Sequence, residues 1–224
     1  MVIEIIQKEV PTRGIGYIIL RDCPEDRLGE ALGKGMERLK KAGAKNVWAT
    51  SLPEGEPLHP GPVGVWRLTH VHDMLELTLP LGPDRPRTED RLLLKPAKRS
   101  NDEKLWIDLV NRALQSTPNA HTYVPADMRA QNHRCGLAWL GDKAVGAYEL
   151  DLTEKTPQLA TLAIDPEYQR QGLGKKLLLT VLDAMPKASA CTVVTSTANE
   201  AAMKLAESIG FGQSGIVSSW FEVI

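Results

Sequence analysis

In the C-terminal half of the chain, strand-like apolar runs alternate with helix-like spacing. An apolar run from Ala160 to Ile164 predicts a strand, which Asp165-Pro166 brings to an end. Beyond it, apolar residues recur with helical periodicity and predict a helix; these residues are Leu173, Leu177, Leu178, Val181 and Leu182. The segment from Pro166 to Gly172 is therefore a loop that leads directly into a helix N-terminus.

The same patterns predict the other elements of this half. Strands are expected at residues 91–95, 135–140, 143–152, 190–195 and 215–223, and helices at residues 101–115 and 199–209. Gly141-Asp142 lies between two of these strands and predicts a hairpin turn. Strands and helices thus alternate in a way that indicates a mixed α/β domain.

The loop before the helix has the residues of an anion-binding site. The first N–H groups of a helix have no partner within the helix, and the helix dipole is positive at that end. Gly172 and Gly174 carry no Cβ, so a ligand can approach the backbone closely. Arg170, Lys175 and Lys176 add positive charge. We therefore predict that this loop binds a phosphate group.

Two common phosphate-binding sequences do not fit the loop. A P-loop needs a glycine where this chain has Gln169, and a serine or threonine where it has Lys176. A dinucleotide-binding loop needs a glycine at Leu177 and an acidic residue at the end of a second strand, and both are missing. The spacing that remains is Gln169-x-x-Gly172-x-Gly174.

This spacing resembles the Q/R-x-x-G-x-G/A signature of the GCN5-related N-acetyltransferases, the GNAT family. That family has an apolar strand and an Asp-Pro-like turn before the loop, as in Leu162-Ala163-Ile164-Asp165-Pro166. A second block, from Asn199 to Gly210-Phe211, also resembles the family in order and separation. The resemblance covers about residues 90–224. It implies an α/β (α+β) fold with a splayed, mixed and mostly antiparallel sheet flanked by helices.

The resemblance implies an acetyl-CoA-dependent N-acetyltransferase in which a primary amine, of a small molecule or a peptide, attacks the thioester directly. Coenzyme A would lie beside the strand before the loop, with its pyrophosphate on the loop amides. The implied cofactor-binding residues are Leu162, Ala163, Ile164, Gln169, Arg170, Gln171, Gly172, Leu173, Gly174, Lys175, Lys176 and Asn199. The backbone amide of Leu162 would also stabilise the oxyanion, an effect worth about 3 kcal/mol in comparable sites. Transfer of a longer acyl group is left open.

The residues for proton transfer depart from the family pattern. Positions that often hold a tyrosine or a carboxylate carry groups that do not titrate, namely Ala206, Gln158 and Val194. On the predicted hairpin, Glu149 and Asp151 are substitutes, and we take Glu149 as the candidate catalytic side chain. Candidates for the acid are Tyr168, Ser208 and Cys191. An alternative function is therefore a catalytically inactive CoA-binding module that acts as a sensor or interaction partner.

A segment rich in proline and charge, residues 79–90, indicates a linker. It predicts two domains, residues 1–88 and residues 89–224, of which the second carries the GNAT-like pattern. In the first, strands are expected at residues 1–10, 14–21 and 46–51, a helix at 24–41, and one or two strands within 65–79. The sequence pattern of residues 29–50 is weakly similar to the loop, helix and strand pattern of the second half. The first domain is accordingly either a partial GNAT-like repeat or an unrelated accessory domain.

The composition of the chain limits the classes of partner that it is expected to bind. The 224 residues have a formal net charge of −1, which gives no general attraction to nucleic acid. No apolar run is long enough to span a membrane, and the acidic residue within Met1 to Ile6 argues against a signal peptide. We expect a cytoplasmic protein with no nucleic-acid or membrane partner, and we leave a homodimer open.

Cysteine and histidine spacing predicts no metal site. Three widely separated cysteines, Cys23, Cys135 and Cys191, are typical of reduced thiols. His70 and His72 would share one face of a strand beside Asp73, but no third ligand follows at a suitable spacing. His121 and Tyr123 lie where the family's loop between helices lines the acceptor pocket.

Overall fold

A computed structural model describes residues 2–52, 57–83, 85–118, 120–129 and 131–224. Two residues of predicted segments, Met1 and Asp84, lie outside this part of the chain. The chain forms two compact units. Unit 1 contains Met1–Leu75, Ser196–Ala198 and Gly215–Ile224, and unit 2 contains Glu76–Thr195 and Asn199–Ser214. Each unit thus includes a segment from the other half of the sequence. The predicted domain boundary at residues 88 and 89 stays a prediction.

The described residues form strands and helices in the following order. The strands are β1 (Val2–Ile6), β2 (Ile15–Asp22), β3 (Asn46–Ser51), β4 (Gly61–Val63), β5 (Trp66–Pro80), β6 (Leu93–Pro96), β7 (His133–Leu140), β8 (Lys143–Asp151), β9 (Gln158–Ile164), β10 (Ala190–Ser196) and β11 (Gly212–Val223). The α-helices are α1 (Val10–Arg13), α2 (Leu28–Lys41), α3 (Ser100–Leu114), α4 (Leu173–Ala184) and α5 (Glu200–Glu207).

Unit 2 is an open sheet with helices on both faces. Its strands follow the order β10-β9-β8-β7-β6, antiparallel from β6 to β9 and parallel between β9 and β10. The buried face of α3 includes Trp106 and packs with Ala147 and Ala163. The next residue on β8, Gly146, lies against Leu177 of α4. Because neighbouring residues of a strand point to opposite faces, α3 and α4 cover opposite sides of the sheet. This arrangement confirms the predicted fold class.

Unit 1 contains a β-α-β crossover. Strand β1 is antiparallel to β2, and β2 is parallel to β3 over six consecutive pairs from Ile15 opposite Asn46 to Leu20 opposite Ser51. Helix α2 connects β2 to β3 and buries Leu32 and Leu39 in the core of the unit. The end of β11 extends this sheet by pairing with β3, and β5 follows β11 in the strand order.

Some predicted elements of the first half differ from the structure. The expected strand over residues 1–10 ends at Ile6, because Pro11 lies in the first turn of α1 and cannot donate to a strand ladder. The expected helix over residues 24–41 starts as a 3-10 turn at Glu25–Arg27 and becomes α-helical only at Leu28. The one or two strands expected within residues 65–79 are a single long strand, β5 (Trp66–Pro80), preceded by the short β4.

Candidate active site

Strands β9 and β10 separate after one paired position. Thr192 and Gln158 are register partners, and the Thr192 amide donates to the Pro157 carbonyl at 3.0 Å. Among the described residues, β9 has no register partner on β10 beyond Gln158. Its pairing with β8 continues to Ile164. One edge of β9 is therefore left without a neighbouring strand.

A β-bulge at Ala160 changes the direction in which the β9 backbone points. Leu159 is opposite Leu150, and Thr161 is opposite Glu149, so Ala160 has no partner on β8. Along a strand, alternate residues direct their N–H and C=O groups toward the same neighbouring strand. The extra residue at Ala160 therefore changes which residues of β9 direct these groups toward β8.

The backbone groups of Leu162 point to the open edge. The Asp165 amide donates to the Val145 carbonyl at 3.0 Å, which extends the β8–β9 register by one residue pair. Antiparallel residue pairs alternate between hydrogen-bonded and non-hydrogen-bonded. Since Asp165 and Val145 form a hydrogen-bonded pair, Ile164 and Leu162 both belong to non-hydrogen-bonded pairs. Their N–H and C=O groups consequently face away from β8. The Ile164 carbonyl accordingly accepts from the Gln169 side chain at 3.0 Å.

The loop after β9 has an unusual backbone. Arg170 and Gly172 have φ angles of 62° and 77°, in the left-handed region. That region costs a non-glycine residue about 1–2 kcal/mol, and such strain is common at functional sites. Gln169, directly before them, is extended, with a φ of −68° and a ψ of 164°. A Cβ placed on Gly172 would meet no atom within 4 Å, so space is free beside the loop.

Helix α4 begins directly at this loop. Gly172 is its N-cap and supplies no side-chain cap, and the Lys176 amide bonds to the Gly172 carbonyl at 3.2 Å. The amides of Leu173, Gly174 and Lys175 precede this first helical bond. They therefore belong to the positive end of the helix, next to the left-handed residues of the loop.

The predicted side chains of the loop differ in their availability. Lys175, Arg170 and Gln171 are exposed. Lys176 is mostly buried and its ammonium pairs with Asp90 at 2.6 Å. Because both its amide and its ammonium have partners inside unit 2, Lys176 contributes less free charge to the loop than Lys175 does.

Two further contacts hold the loop in place. Asp165 accepts from the Glu167 amide at 3.1 Å and pairs with Arg112 of α3 at 2.6 Å, which fixes the end of β9. The Asn199 side chain caps α5 by accepting from the Ala202 amide at 3.2 Å. The structure thus gives Asn199 a capping role, and its predicted contact with the cofactor stays a prediction.

A polar cluster surrounds Glu149 on the α3 side of the sheet. Glu149 is 5% exposed and lies opposite Thr161, the residue before Leu162. Its Oε2 accepts from the Tyr123 hydroxyl and from the Thr161 hydroxyl, each at 2.9 Å. Its Oε1 lies 2.7 Å from Nδ1 of His133. Glu149 is therefore a buried carboxylate whose two oxygens both have polar partners.

Aromatic rings and one half-buried thiol, that of Cys135, lie beside this cluster. The Tyr123 ring lies edge-on to Trp106, with centroids 4.9 Å apart, and edge-on to His121 at the same separation. Burial raises the pKa of Tyr123, its bond to Thr161 lowers it, and the Glu149 charge raises it further. Burial raises the pKa of the Cys135 thiol to about 12, helped by the charge of Glu149. Both groups stay protonated at neutral pH.

His133 is the residue that sequence reasoning missed. It lies at the start of β7, and no motif or spacing marks it. The only available signal was the alternation of the hairpin strands, which places His133 opposite Asp151 and two residues from the partner of Glu149.

The other predicted proton-transfer positions have ordinary structural roles. Ala206 is buried, and Gln158 lies at the last paired position of β9 and β10. The Ser208 hydroxyl, at the C-terminal cap of α5, donates to the Leu205 carbonyl at 2.8 Å. Cys191 is fully buried, and burial raises the pKa of its thiol to about 11. Tyr168 ends a 3-10 turn and is half-buried, and Val194 is half-buried on β10.

The two histidines of β5 are engaged with aromatic rings and an aspartate. His70 bonds to Asp73 at 2.9 Å, and its ring lies 5.5 Å from that of Phe221. His72 is buried against Trp48 at 5.4 Å. Across the described ranges, no three His, Cys, Asp or Glu side chains lie close enough together to hold a metal ion. The same ranges contain no helix with the length and apolar character needed to cross a membrane.

Comparison with known proteins agrees with this geometry. Residues 95–211 match the acetyltransferase (GNAT) family. The [ribosomal protein bS18]-alanine N-acetyltransferase of Escherichia coli is 38% identical over 65 residues, 28% of this chain and 44% of that protein. Human N-alpha-acetyltransferase 30 is 37% identical over 84 residues, 34% of this chain and 23% of that protein. The chain thus spans less than half the length of these relatives.

Solved structures share the fold over nearly the whole chain. A GCN5-related N-acetyltransferase from Sphaerobacter thermophilus superposes with a TM-score of 0.60 at 10% identity, covering 99% of this chain and 74% of that one. A tandem GNAT protein from the clavulanic acid biosynthesis pathway gives a TM-score of 0.51 at 15% identity, covering 94% and 75%. With a family match over more than half of the residues, and the glycine loop and splayed strands inside it, the chain belongs to the acetyltransferase (GNAT) family.

Proposed function

We propose that this chain is an acetyl-CoA-dependent N-acetyltransferase that acetylates a primary amine by direct attack on the thioester. The observation that carries the proposal is the junction of β9 and α4. There, a strand edge without a partner on β10 runs into a loop with two left-handed residues, Arg170 and Gly172, that leads directly into the N-terminus of α4. This junction has the two features that coenzyme A needs, a backbone edge for its amide-containing arm and an anion site for its pyrophosphate.

The residues of this junction fit that ligand. The loop backbone from Arg170 to Lys175 would hold the pyrophosphate, since it provides left-handed turns and the free amides of the helix start. The outward amides of Leu162 and Ile164 and the outward carbonyl of Leu162 would pair with the amides and carbonyls of the ligand's arm. When bound, acetyl-CoA supplies the activated acetyl group.

The protein's own groups can then assist the transfer. Negative charge grows on the thioester oxygen during attack, and the Leu162 amide is a fixed donor at the open strand edge. Such a donor contributes about 3–4 kcal/mol to barrier reduction in comparable sites. The ammonium form of the acceptor must lose a proton before it can attack, and we assign the proton acceptor as Glu149, directly or through a water molecule.

The acceptor class that we favour is a peptide α-amine. The names of the two relatives above describe acetylation of alanine and of the N-alpha position. An α-amine has a pKa of about 8, against about 10.4 for lysine, so more of it is neutral at pH 7. A carboxylate is a weak base and therefore suits the α-amine better. A small-molecule amine is the other acceptor to be tested.

Unit 1 is, in our proposal, a GNAT-like half without a cofactor site. It contains the same strand-helix-strand crossover, β2-α2-β3, but these two strands stay paired over six residue pairs. A paired edge leaves no room for the arm of coenzyme A. The fold-level similarity to a tandem GNAT protein supports this view.

We further propose that the protein acts in the cytoplasm, which its three free cysteines favour.

The decisive experiment measures both binding and transfer. Purified protein would be incubated with acetyl-CoA and three acceptors: a peptide with a free N-terminal alanine, the same peptide blocked at its N-terminus but with a lysine, and a set of small amines. Thiol release and product mass report transfer, and calorimetry reports CoA binding. We expect transfer to the free α-amine. Binding without transfer to any amine would favour the inactive CoA sensor, and no binding would refute the cofactor site.

A further inference from the structure

Three consecutive residues, 90–92, connect the end of the predicted linker to one face of α4, and we call them the strap. Oδ1 of Asp90 lies 2.6 Å from the ammonium of Lys176, and Oδ2 of Asp183 lies 3.0 Å from a guanidinium nitrogen of Arg91. Lys176 and Asp183 have the i and i+7 spacing, so they lie on the same face of the helix.

The strap is anchored at its C-terminal end. The Leu92 amide donates to Oγ1 of Thr180 at 3.3 Å, and the Thr180 hydroxyl in turn donates to the Lys176 carbonyl at 2.7 Å. Leu92 itself is buried. These contacts hold Asp90 beside the first turn of α4, although the Asp90 side chain is 81% exposed.

The ammonium of Lys176 lies between the strap and the glycine loop. Lys176 is in the first turn of α4, and its amide bonds to the Gly172 carbonyl at 3.2 Å. Side chains of a helix point toward its N-terminus, so the Lys176 side chain extends toward the proposed phosphate site. A phosphate held by the loop and the carboxylate of Asp90 therefore attract the same ammonium. By contrast, the Asp165 carboxylate at the end of β9 pairs with Arg112 of α3 and not with a cation of the loop.

We propose that Asp90 sets the affinity for coenzyme A by competing with a phosphate of the ligand for the ammonium of Lys176. In the ligand-free protein the ammonium pairs with Asp90, and on binding it pairs with the phosphate while the strap stays anchored at Leu92. The exchange is reversible, because an ion pair with so exposed a carboxylate contributes little to stability. Part of the attraction between Lys176 and the ligand is therefore lost in opening the pair. This inference rests on the proposed function, and specifically on its cofactor site.

The competition acts on substrate and product alike. Acetyl-CoA and CoA carry the same phosphate groups, so Asp90 weakens the binding of both to the same extent. Uniform binding of this kind changes the occupancy of the site and the release of CoA, and it leaves the chemical step unchanged. A variant without the Asp90 carboxylate should therefore bind acetyl-CoA and CoA more tightly by the same factor.

The binding test compares Asp90→Asn with a matched control, Glu154→Gln. Glu154 is an exposed carboxylate in the turn between β8 and β9, at the opposite end of β9 from the glycine loop, and its removal changes the net charge equally. Calorimetry at low salt should show CoA binding that is about threefold to tenfold tighter for Asp90→Asn, and wild-type affinity for Glu154→Gln. The difference should shrink as sodium chloride is added, because salt screens exposed charges.

A double-mutant cycle with Lys176→Met distinguishes competition from simple repulsion. Methionine keeps the unbranched chain of lysine but carries no charge. If the ammonium changes partners, Lys176→Met should weaken CoA binding more in the Asp90→Asn background than in the wild type, because only the wild type must first open the ion pair. Additive effects would mean that Asp90 repels the ligand without any exchange at Lys176, and they would overturn the proposal.

The outcomes separate this inference from the function on which it rests. A wild-type protein that binds CoA, with equal affinities for Asp90→Asn and Glu154→Gln, would overturn the role of Asp90 alone. CoA binding without acetylation of any amine would overturn the proposed transfer, whereas the result for Asp90 would stand because it measures binding only. A protein that binds no CoA would refute the cofactor site, and the competition with it.

Discussion

Leu162 and Tyr148 face each other across β8 and β9 as a non-hydrogen-bonded pair, so the Leu162 amide points away from β8. The phase of this pairing is set by the bulge at Ala160 and by the bond from Asp165 to Val145. On the side to which the amide points, β10 has already separated. One backbone donor is thereby directed into the gap between two strands, where the arm of a thioester ligand could pair with it.

Substitution of Gly172 should abolish CoA binding without unfolding the protein. In Gly172→Val, the side chain would enter the free space beside the loop amides, and the φ of 77° would strain the backbone by about 1–2 kcal/mol. The matched control is Gly141→Val in the β7–β8 hairpin, where φ is 64° and a Cβ also meets nothing within 4 Å. Calorimetry should show at least a hundredfold loss of CoA affinity for Gly172→Val only. Equal affinities in the two variants would contradict the loop assignment.

Glu149→Gln should reduce catalysis while leaving CoA affinity unchanged. The amide keeps the size of the carboxylate and can still accept from Tyr123, but it cannot take up a proton. General-base removal lowers rates by about 10²–10⁴-fold, and we expect kcat to fall within this range. Tyr123→Phe is the companion variant, since it removes one hydrogen bond to Glu149 and should cost about 1 kcal/mol of stability. An unchanged kcat in Glu149→Gln, measured by peptide acetylation, would exclude this carboxylate as the base.

Gly136→Ala should destabilise unit 2 through a steric clash. A Cβ on Gly136 would lie 2.5 Å from the ring of Tyr148 on the neighbouring strand, and an aromatic ring cannot yield as a flexible chain end can. Overpacking of this kind costs about 1–3 kcal/mol. Gly212→Ala, where a Cβ meets nothing within 4 Å, serves as the control. Urea unfolding should show a lower midpoint for Gly136→Ala, and identical midpoints would show that the ring moves aside.

Stability should fall at alkaline pH because of Cys191. Its thiol is fully buried, and burial raises the pKa from a usual 9.0 to about 11. The folded form therefore binds more protons than the unfolded form between these two values. Linkage then requires the free energy of unfolding to decrease as pH rises through this window, by up to about 1.4 kcal/mol per pH unit. Cys191→Ala should show a shallower decrease in urea titrations between pH 8 and pH 10.5, and a parallel decrease would assign the effect to other groups.

Local sequence was sufficient to predict the strand, the glycine loop and the helix start that follows it. Glycine spacing and the leucine periodicity of α4 are properties of adjacent residues, and they specify a helix start with free amides wherever the segment is placed. The order of elements in the second half followed for the same reason, since apolar periodicity reflects which face each element buries. Family resemblance then identified the ligand that suits such a loop.

Only the tertiary structure decided which side chains meet at Glu149. Tyr123 is 26 residues from Glu149 and 38 residues from Thr161, and His133 is 16 residues from Glu149. Such contacts depend on strand register, and the one-residue bulge at Ala160 sets that register without a mark in the apolar pattern. The place of Gly215–Ile224 in unit 1 is equally non-local, because the sequence of β11 predicts an ordinary strand of the second half. Sequence thus specifies what each segment becomes, whereas pairing between distant segments determines which polar groups share one site.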